Sequence, residues 1–377
     1  MKFLHTADWQ LGMTRHFLDE DAQPRYTAAR IDAIREIAAL AQRENCEFVV
    51  VCGDVFETNI VAPGVVSRAL EAMRSIRLPV YLLPGNHDPL EASSIYTRAS
   101  FKAACPENVT VLLTPGAHQV SPGVEILAAP WFSKKPLEDL AAAAISQLQP
   151  DGTLRVLVAH GGTDLLDPDQ TNPALIRVAK LEEALSQGSL RYVALGDKHS
   201  ATKVGDTGRI WYSGTQEVTS SREPNPGKVL LVDLDSSTTT PKVSQHQIGT
   251  WAFLDLAFEL NNSFDLTDLA AELDALENKD RTVLRLSLKG TLSLKDKAEL
   301  DLLLESNSLR FASVHLWERH TDLQVYVDGQ ELGDLGVNGF AAEAVAELMA
   351  TSAGTGDDAA TAQDALSLLY RLAGGSK

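Results

Sequence analysis

The sequence is short of positive charge, short of cysteine, and without a long apolar run. Lys and Arg number 33 against 51 Asp and Glu, for a formal net charge of −18. That balance repels a polyanion at long range and counts against nucleic-acid binding through a diffusely basic surface. It leaves room for a nuclease, because divalent ions bring positive charge to a site and invert the local electrostatics. No stretch approaches the roughly 20 apolar residues of a membrane-spanning helix, so no membrane role is expected. Met1 to Thr6 run straight into a polar motif, without the basic start, apolar centre and cleavage site of a secretory signal, and the expectation is a cytoplasmic protein. Cys46, Cys52 and Cys105 form an odd set with no CxxC pair and are read as buried thiols.

The chain has 377 residues, more than one hydrophobic core usually serves, with 44% hydrophobic and 22% charged residues as in ordinary globular proteins. From Met1 to about Thr250, short β-branched runs alternate with helical periodicities, the pattern of an α/β layered domain. The expected strands are 2–6, 47–52, 80–83, 109–113, 124–128, 155–159, 192–195, 209–212 and 228–232. Between them Ile31, Ile34, Ala38 and Ala41, then Val66, Ala69, Leu70 and Met73, recur at helical spacing and predict helices packed on a sheet. A second unit, a small α+β arrangement, is expected from Trp251, with strands over 251–260, 281–289, 311–318 and 323–327 and helices over 265–276 and 293–304. From Asp334 onward six acidic residues face only Arg371 and Lys377. A Ser/Gly/Thr/Asp-rich linker over 351–358 separates two apolar helical faces there, Phe340, Ala344 and Leu348, then Ala365, Leu368, Leu369 and Leu372. The pattern allows a hairpin docked on its own domain or a module that binds a partner. The domain reading is therefore 1–250, 251–333 and 334–377.

Five expected strands end at, or a few residues before, a polar residue suited to metal binding. These are Asp8, Asp54 in Gly53-Asp54, Asn86 in Gly85-Asn86-His87-Asp88, His160 in His160-Gly161, and Asp197 with His199 in Gly196-Asp197-Lys198-His199. Ligands at the carboxyl ends of neighbouring strands converge on one edge of a sheet, where a crevice opens.

This order resembles that of the calcineurin-like metallophosphoesterases, Asp-X-His, Gly-Asp, Gly-Asn-His-Asp/Glu, His, then Gly-His-X-His, over about the first 215 residues. Within that superfamily, the stretches His5-Thr6-Ala7-Asp8-Trp9-Gln10-Leu11-Gly12 and Tyr192 to His199 look most like the SbcD type of DNA nuclease subunit. The resemblance implies an αββα sandwich, a small α+β cap that shapes a DNA groove, and a C-terminal helical element. It also implies a homodimer working with an SbcC-like ATPase in DNA repair or end processing. Asp54 would bridge two divalent ions, with Asp8 and His199 on one and Asn86 and His160 on the other. Mn(II) suits such oxygen and imidazole donors, with Zn(II), Fe(II) or Mg(II) as alternatives. His87 would contact the scissile phosphate or protonate the leaving oxygen, and Asp88 would fix its tautomer.

Two positions depart from the family pattern. Gln10 stands where a histidine is usual, and Asp197 where the first histidine of Gly-His-X-His would be, each in a different metal site. Both keep an oxygen donor. Besides a nuclease, the residues permit a phosphatase or cyclic-nucleotide phosphodiesterase for small molecules, and a non-catalytic binding subunit with a degenerate site.

Overall fold

The computed structural model describes residues 1–235, 240–326 and 339–374. The chain divides into two units, one of Met1–His16 and Gln23–Trp251, the other of Phe17–Ala22 and Ala252–Lys377. Among the described residues no helix is long and apolar enough to cross a membrane.

The first unit is built on two six-stranded sheets. In one, β1 (Lys2–Thr6), β2 (Phe48–Cys52), β3 (Val80–Leu83) and β4 (Val109–Val111) run parallel, and β11 (Lys228–Asp233) and β12 (Lys242–Gln247) extend it antiparallel from β1. In the other, β6 (Val124–Ala129), β7 (Leu154–His160), β8 (Tyr192–Gly196) and β10 (Ile210–Tyr212) are parallel, edged antiparallel by β5 (Gly116–Ser121) and β9 (Thr202–Val204). Successive residues of a strand face opposite sides, and here both sides are apolar, as parallel sheets covered on two faces require. Phe3, Phe48, Val50, Ile126, Val156, Val158 and Tyr192 form one core between the sheets. Leu4, Val49 and Val51 face instead α1 (Ala22–Arg43) and α2 (Pro63–Arg74) through Ile31, Ile34, Leu70 and Met73, with Phe101 of α3 (Ala99–Ala104) beside them. Leu157, Ala159 and Val193 face α4 (Leu140–Ile145) and α5 (Val178–Gln187) through Ala141, Leu181 and Leu185. The result is the expected αββα layering. His5 lies in the middle core, its ring within 3.1 Å of the Tyr192 hydroxyl and 3.0 Å of the Leu195 carbonyl, a satisfied interior histidine.

In the second unit β13 (Ala252–Leu260), β15 (Ser313–Leu316) and β16 (Asp322–Tyr326) all pair parallel with the long β14 (Thr282–Ser293). The helices α6 (Ser263–Ala275) and α7 (Leu294–Ser308) are the crossovers that parallel pairing demands. Each starts on a side-chain cap, Asn262 for α6 and Ser293 for α7. Leu260, Leu266, Leu269, Leu284, Leu286 and Leu288 make the core.

Two further helices, α8 (Phe340–Ser352) and α9 (Asp357–Gly374), belong to this unit. Their buried stripe differs from the expected one. Val345, Leu348, Met349, Leu366 and Leu369 gather on Leu294 and Val325, whereas Phe340 is 86% exposed and Leu372 71%. The expected faces share only Leu348 and Leu369 with the observed stripe, because α9 packs on both α7 and α8, and those contacts set which side is buried. The expected boundary at 333/334 and the strand end at Val327 lie outside the described residues.

Candidate metal centre

The carboxyl ends of β1, β2, β3, β7 and β8 bring Asp8, Asp54, Asn86, His160 and Asp197 together. Hydrogen bonds lace the loops that carry them. Asp8 N donates to Gly53 O at 3.1 Å, Gln10 N to Asp54 O at 2.8 Å, and Leu11 N to Val55 O at 2.9 Å. Of six non-glycine residues with positive φ among the described residues, four are Asp8 (53°), Gln10 (41°), Asp54 (53°) and Asp197 (105°). Left-handed backbone costs a non-glycine residue of order 1 kcal/mol or more and persists where the surroundings impose it, so the strain is concentrated at this cluster. Two glycines make the approach possible. A Cβ at Gly53 (φ 88°) would run into the His160 ring, and one at Gly85 into the Asp54 carboxylate.

Donor atoms of Asp8, Asp54 and His160, all buried, lie within 4.8 Å of one another. Nε2 of His160 is 2.7 Å from Asn86 Oδ1, 3.5 Å from Asp54 Oδ1 and 4.0 Å from Asp197 Oδ1. Its Nδ1 is 2.8 Å from the Cys52 carbonyl, which only accepts, so Nδ1 carries the proton. In a neutral ring Nε2 would then aim a lone pair at the lone pairs of Asn86 Oδ1. Such a contact is relieved by a proton on Nε2, by a cation that both atoms bind, or by a half-turn of the Asn86 amide that brings Nδ2 to the ring. Burial alone would lower the pKa of His160, but the Asp54, Asp8 and Asp197 carboxylates override it and raise it to about 9. Burial first, then the Asp54 and Asp197 charges, pushes Asp8 up to about 6, against the pull of His199 and His160. These residues therefore fit a divalent cation: carboxylates short of counter-charge, and an imidazole nitrogen facing an oxygen acceptor.

Gln10 and His199 meet on another side of the cluster. Gln10 Nε2 is 3.3 Å from His199 Nε2, while Gln10 Oε1 is buried with no hydrogen-bond partner. Nδ1 of His199 lies 2.8 Å from both Thr219 Oγ1 and Glu223 Oε1. Asp197 N donates to both carboxylate oxygens of Asp8 at 3.1 Å, so the two expected ligands are also bonded through the backbone.

His87 and Asp88 take different places. His87 N donates to Asp54 Oδ1 at 2.9 Å, its Nδ1 lies 2.9 Å from the Glu57 carbonyl, and its Nε2 is 3.9 Å from Asp54 Oδ2. The expected bond from Asp88 to the His87 ring is replaced by another arrangement. Asp88 is fully buried and accepts from Gly85 N at 2.8 Å, Phe56 N at 3.0 Å and the Tyr96 hydroxyl. A buried carboxylate surrounded by backbone donors turns to them, so Asp88 ties the 85–88 turn to the loop after β2, and the Glu57 carbonyl orients His87.

A family model for calcineurin-like phosphoesterase matches residues 1–229. The chain belongs to the calcineurin-like phosphoesterases. Members of this family hold divalent metals and hydrolyse phosphate esters, and in this phosphoesterase Asp8, Asp54 and His160 form a buried cluster that could hold such an ion. It is 28% identical over 218 residues to the DNA double-strand break repair protein Mre11 of Archaeoglobus fulgidus, covering 53% of this chain and 46% of that protein. To the D subunit of the nuclease SbcCD of Bacillus subtilis it is 32% identical over 97 residues, 23% of this chain and 22% of that protein. The phosphoesterase thus spans less than half the length of each of these curated relatives. Solved structures similar to it include TT1561 of Thermus thermophilus (13% identity, TM-score 0.39, covering 66% of this chain and 98% of that one). A dimetal phosphatase from Danio rerio is similar at 13% identity and a TM-score of 0.39, covering 63% and 93%.

The sequence reading passed over three groups that hold the phosphoesterase centre in shape. Glu223 and Thr219 orient His199, and no motif marks either. Trp131 Nε1 donates to the His160 carbonyl at 2.7 Å. Arg30, 1% exposed, bonds Trp9 O at 2.7 Å, Asp8 O at 3.4 Å, Glu217 O at 3.1 Å and the Tyr26 hydroxyl at 3.0 Å. A signal for Arg30 exists, since Tyr26, Arg30, Ile34 and Ile37 share one helical face that is otherwise apolar.

Proposed function

We propose that this phosphoesterase is a metal-dependent DNA nuclease subunit that cleaves phosphodiester bonds in repair or end processing in the cytoplasm, using two divalent ions. The observation that carries the reading is the buried gathering of Asp8, Asp54 and His160, with His160 Nε2 also 2.7 Å from Asn86 Oδ1 and 4.0 Å from Asp197 Oδ1, a set of oxygen and imidazole donors that suits a divalent cation. Asp54 would be shared between the ions, with Asp8, Gln10 and His199 on one and Asn86, His160 and Asp197 on the other. When bound, the ions would polarise the phosphodiester and acidify the attacking water, Mn(II) suiting this donor set.

The chain's own groups do the rest. The Cys52 carbonyl holds His160 by its Nδ1 proton, and Glu223 does the same for His199, so both rings present Nε2 inward. The Glu57 carbonyl accepts from Nδ1 of His87, so the second proton, on Nε2 of the imidazolium form, is the one this ring can donate to the leaving oxygen, which leaves the imidazole neutral. The names of the relatives, a DNA double-strand break repair protein and a nuclease subunit, favour DNA over a small ester. Lys134, Lys135 and Arg222 are exposed and offer phosphate contacts that the overall charge does not. The exposed Phe340, Leu368 and Leu372 offer a surface for an ATPase partner of the SbcC kind, and a homodimer completes the assembly we propose.

The test is hydrolysis by the full chain with Mn(II) on linear double-stranded DNA, single-stranded DNA and bis(p-nitrophenyl) phosphate, beside Asp54→Ala and His87→Ala. DNA cleavage lost in both variants supports the nuclease. Cleavage of the small ester alone would make it a phosphodiesterase for small molecules, and retention of no metal by the unchelated protein would overturn the two-ion centre.

A further inference from the structure

Gln10 and Asp197 occupy the two positions where the resemblance places histidine. Gln10 is 3% exposed, and its Oε1 has no hydrogen-bond partner, a buried polar atom that is unfavourable unless something meets it. The terminal amide sits 3.3 Å from His199 Nε2. The oxygen and nitrogen of an amide exchange by a half-turn of its last torsion, and that turn sets Oε1 at the same distance from the imidazole nitrogen. Adjacent ligands on an octahedral ion with bonds near 2.1 Å are about 3 Å apart, so Gln10 Oε1 and His199 Nε2 have the spacing of two ligands on one ion. Opposite them, Asp197 Oδ1 joins Asn86 Oδ1 and Asp54 Oδ1 around Nε2 of His160 at 4.0, 2.7 and 3.5 Å.

Each half of the centre thus offers three oxygens and one imidazole. One has Asp8, Gln10 and Asp54 with His199, the other Asp54, Asn86 and Asp197 with His160. With histidine at both positions each half would hold two imidazoles. Borderline-soft Zn(II) gains from nitrogen donors, while hard ions such as Mn(II) and Mg(II) are served by carboxylate and carbonyl oxygen. Asp197 also adds a negative charge where the usual ligand is neutral. We propose that Gln10 and Asp197 are the metal-selecting residues of this chain, and that by replacing one nitrogen donor in each half with oxygen they shift the centre away from zinc toward hard divalent ions. The inference rests on the two-ion reading above and concerns which ions are held, not whether they are.

Zn(II) binds most protein sites more tightly than Mn(II) in absolute terms, so the quantity to measure is a ratio. The full chain, stripped with chelator, is dialysed against equal total Zn(II) and Mn(II) buffered at the same free concentrations, and both metals are counted by elemental analysis. Gln10→His and Asp197→His should each raise the retained Zn:Mn ratio several-fold, and the double variant more than either. Gln10→Glu, which keeps the size and sharpens the oxygen donor, should move the ratio the other way, and it decides the matter if the histidine variants fail to fold. A ratio unchanged in Gln10→Glu and in whichever histidine variants fold, with total metal preserved, overturns metal selection and leaves the two-ion centre standing. A parent chain that retains no ion under these conditions overturns both.

Discussion

Glu223 Oε1 lies 2.8 Å from Nδ1 of His199, on the far side of the ring from Gln10. Burial would raise the Glu223 pKa, but the hydrogen bond to His199 holds it below the usual carboxylate range, so the group is an ionised acceptor. It fixes the His199 tautomer with Nε2 unprotonated and makes that nitrogen more basic, as carboxylate partners of metal-binding histidines do.

The first prediction follows from that pair. Glu223→Gln should weaken Mn(II) binding by about 10- to 100-fold, read by calorimetric titration, while the metal-free chain keeps its fold by circular dichroism. Affinity unchanged from the parent would mean that Thr219 alone orients the ring.

Acid and base should act on the metal-free protein in a specific direction. His160 is raised to about 9 in the folded chain, so its charged form stabilises fully below the unfolded value near 6.5, and the benefit is lost as pH rises through 9. Asp8, raised to about 6, has the same sign: folding is favoured most below its unfolded value near 3.9, and that advantage is gone above 6. Both groups therefore make the chelated protein melt lower on going from pH 5 to pH 9. Saturating Mn(II) should flatten or reverse the trend, because the ion replaces the proton between His160 and Asn86. Calorimetric melts across that range with and without metal check it; parallel curves would count against a cation between those residues.

Arg30 joins the Asp8–Trp9 backbone to the Glu217 carbonyl and the Tyr26 hydroxyl from a position that is 1% exposed. Replacement by methionine keeps much of the volume and strands several buried acceptors, each costing about 1 to 3 kcal/mol. We expect Arg30→Met to lower unfolding free energy by about 3 kcal/mol or more on that basis, measured in guanidinium on the chelated chain. Arg30→Lys should recover only part, since one ammonium cannot span the forked set of acceptors. A loss under 1 kcal/mol would show that the loops are held without it.

What the sequence discloses follows what burial imposes on it. Strands buried on both faces read as continuous runs such as Phe48–Cys52 and are found within a residue or two. The strands absent from the reading, β5, β9 and β12, are all sheet edges, and β5 and β12 carry residues such as His118, Gln119, Gln245 and Gln247. At an edge one side of the ladder faces solvent and the apolar signature fades. The cluster of Asp8, Asp54, Asn86, His160 and Asp197 was legible because strand ends announce themselves where apolar runs stop. Its supports were not. The carbonyls of Cys52 and Glu57 act through backbone that any residue supplies, and Glu223 reaches His199 from a loop with no periodicity. Asp88 was misjudged for the same reason, since adjacency to His87 in sequence says nothing of the Gly85 and Phe56 amides that claim it.

His87 offers the sharpest separation of chemistry from metal binding. What it gives Asp54 is a backbone N–H at 2.9 Å, which any substitution preserves, and its side chain is 36% exposed, so replacement opens no core cavity. His87→Gln should therefore leave Mn(II) content and melting temperature near those of the parent. Removal of a positioned general acid typically costs 10²- to 10⁴-fold, and the need for one grows with the basicity of the leaving group. Nitrophenolate leaves readily without a proton, whereas the sugar alkoxide of DNA does not. The rate loss in His87→Gln should accordingly be much larger on DNA than on bis(p-nitrophenyl) phosphate, measured with both substrates at saturating Mn(II). An equal loss on both would assign His87 to holding the phosphate, because a contact to the phosphoryl oxygens is made whichever group departs.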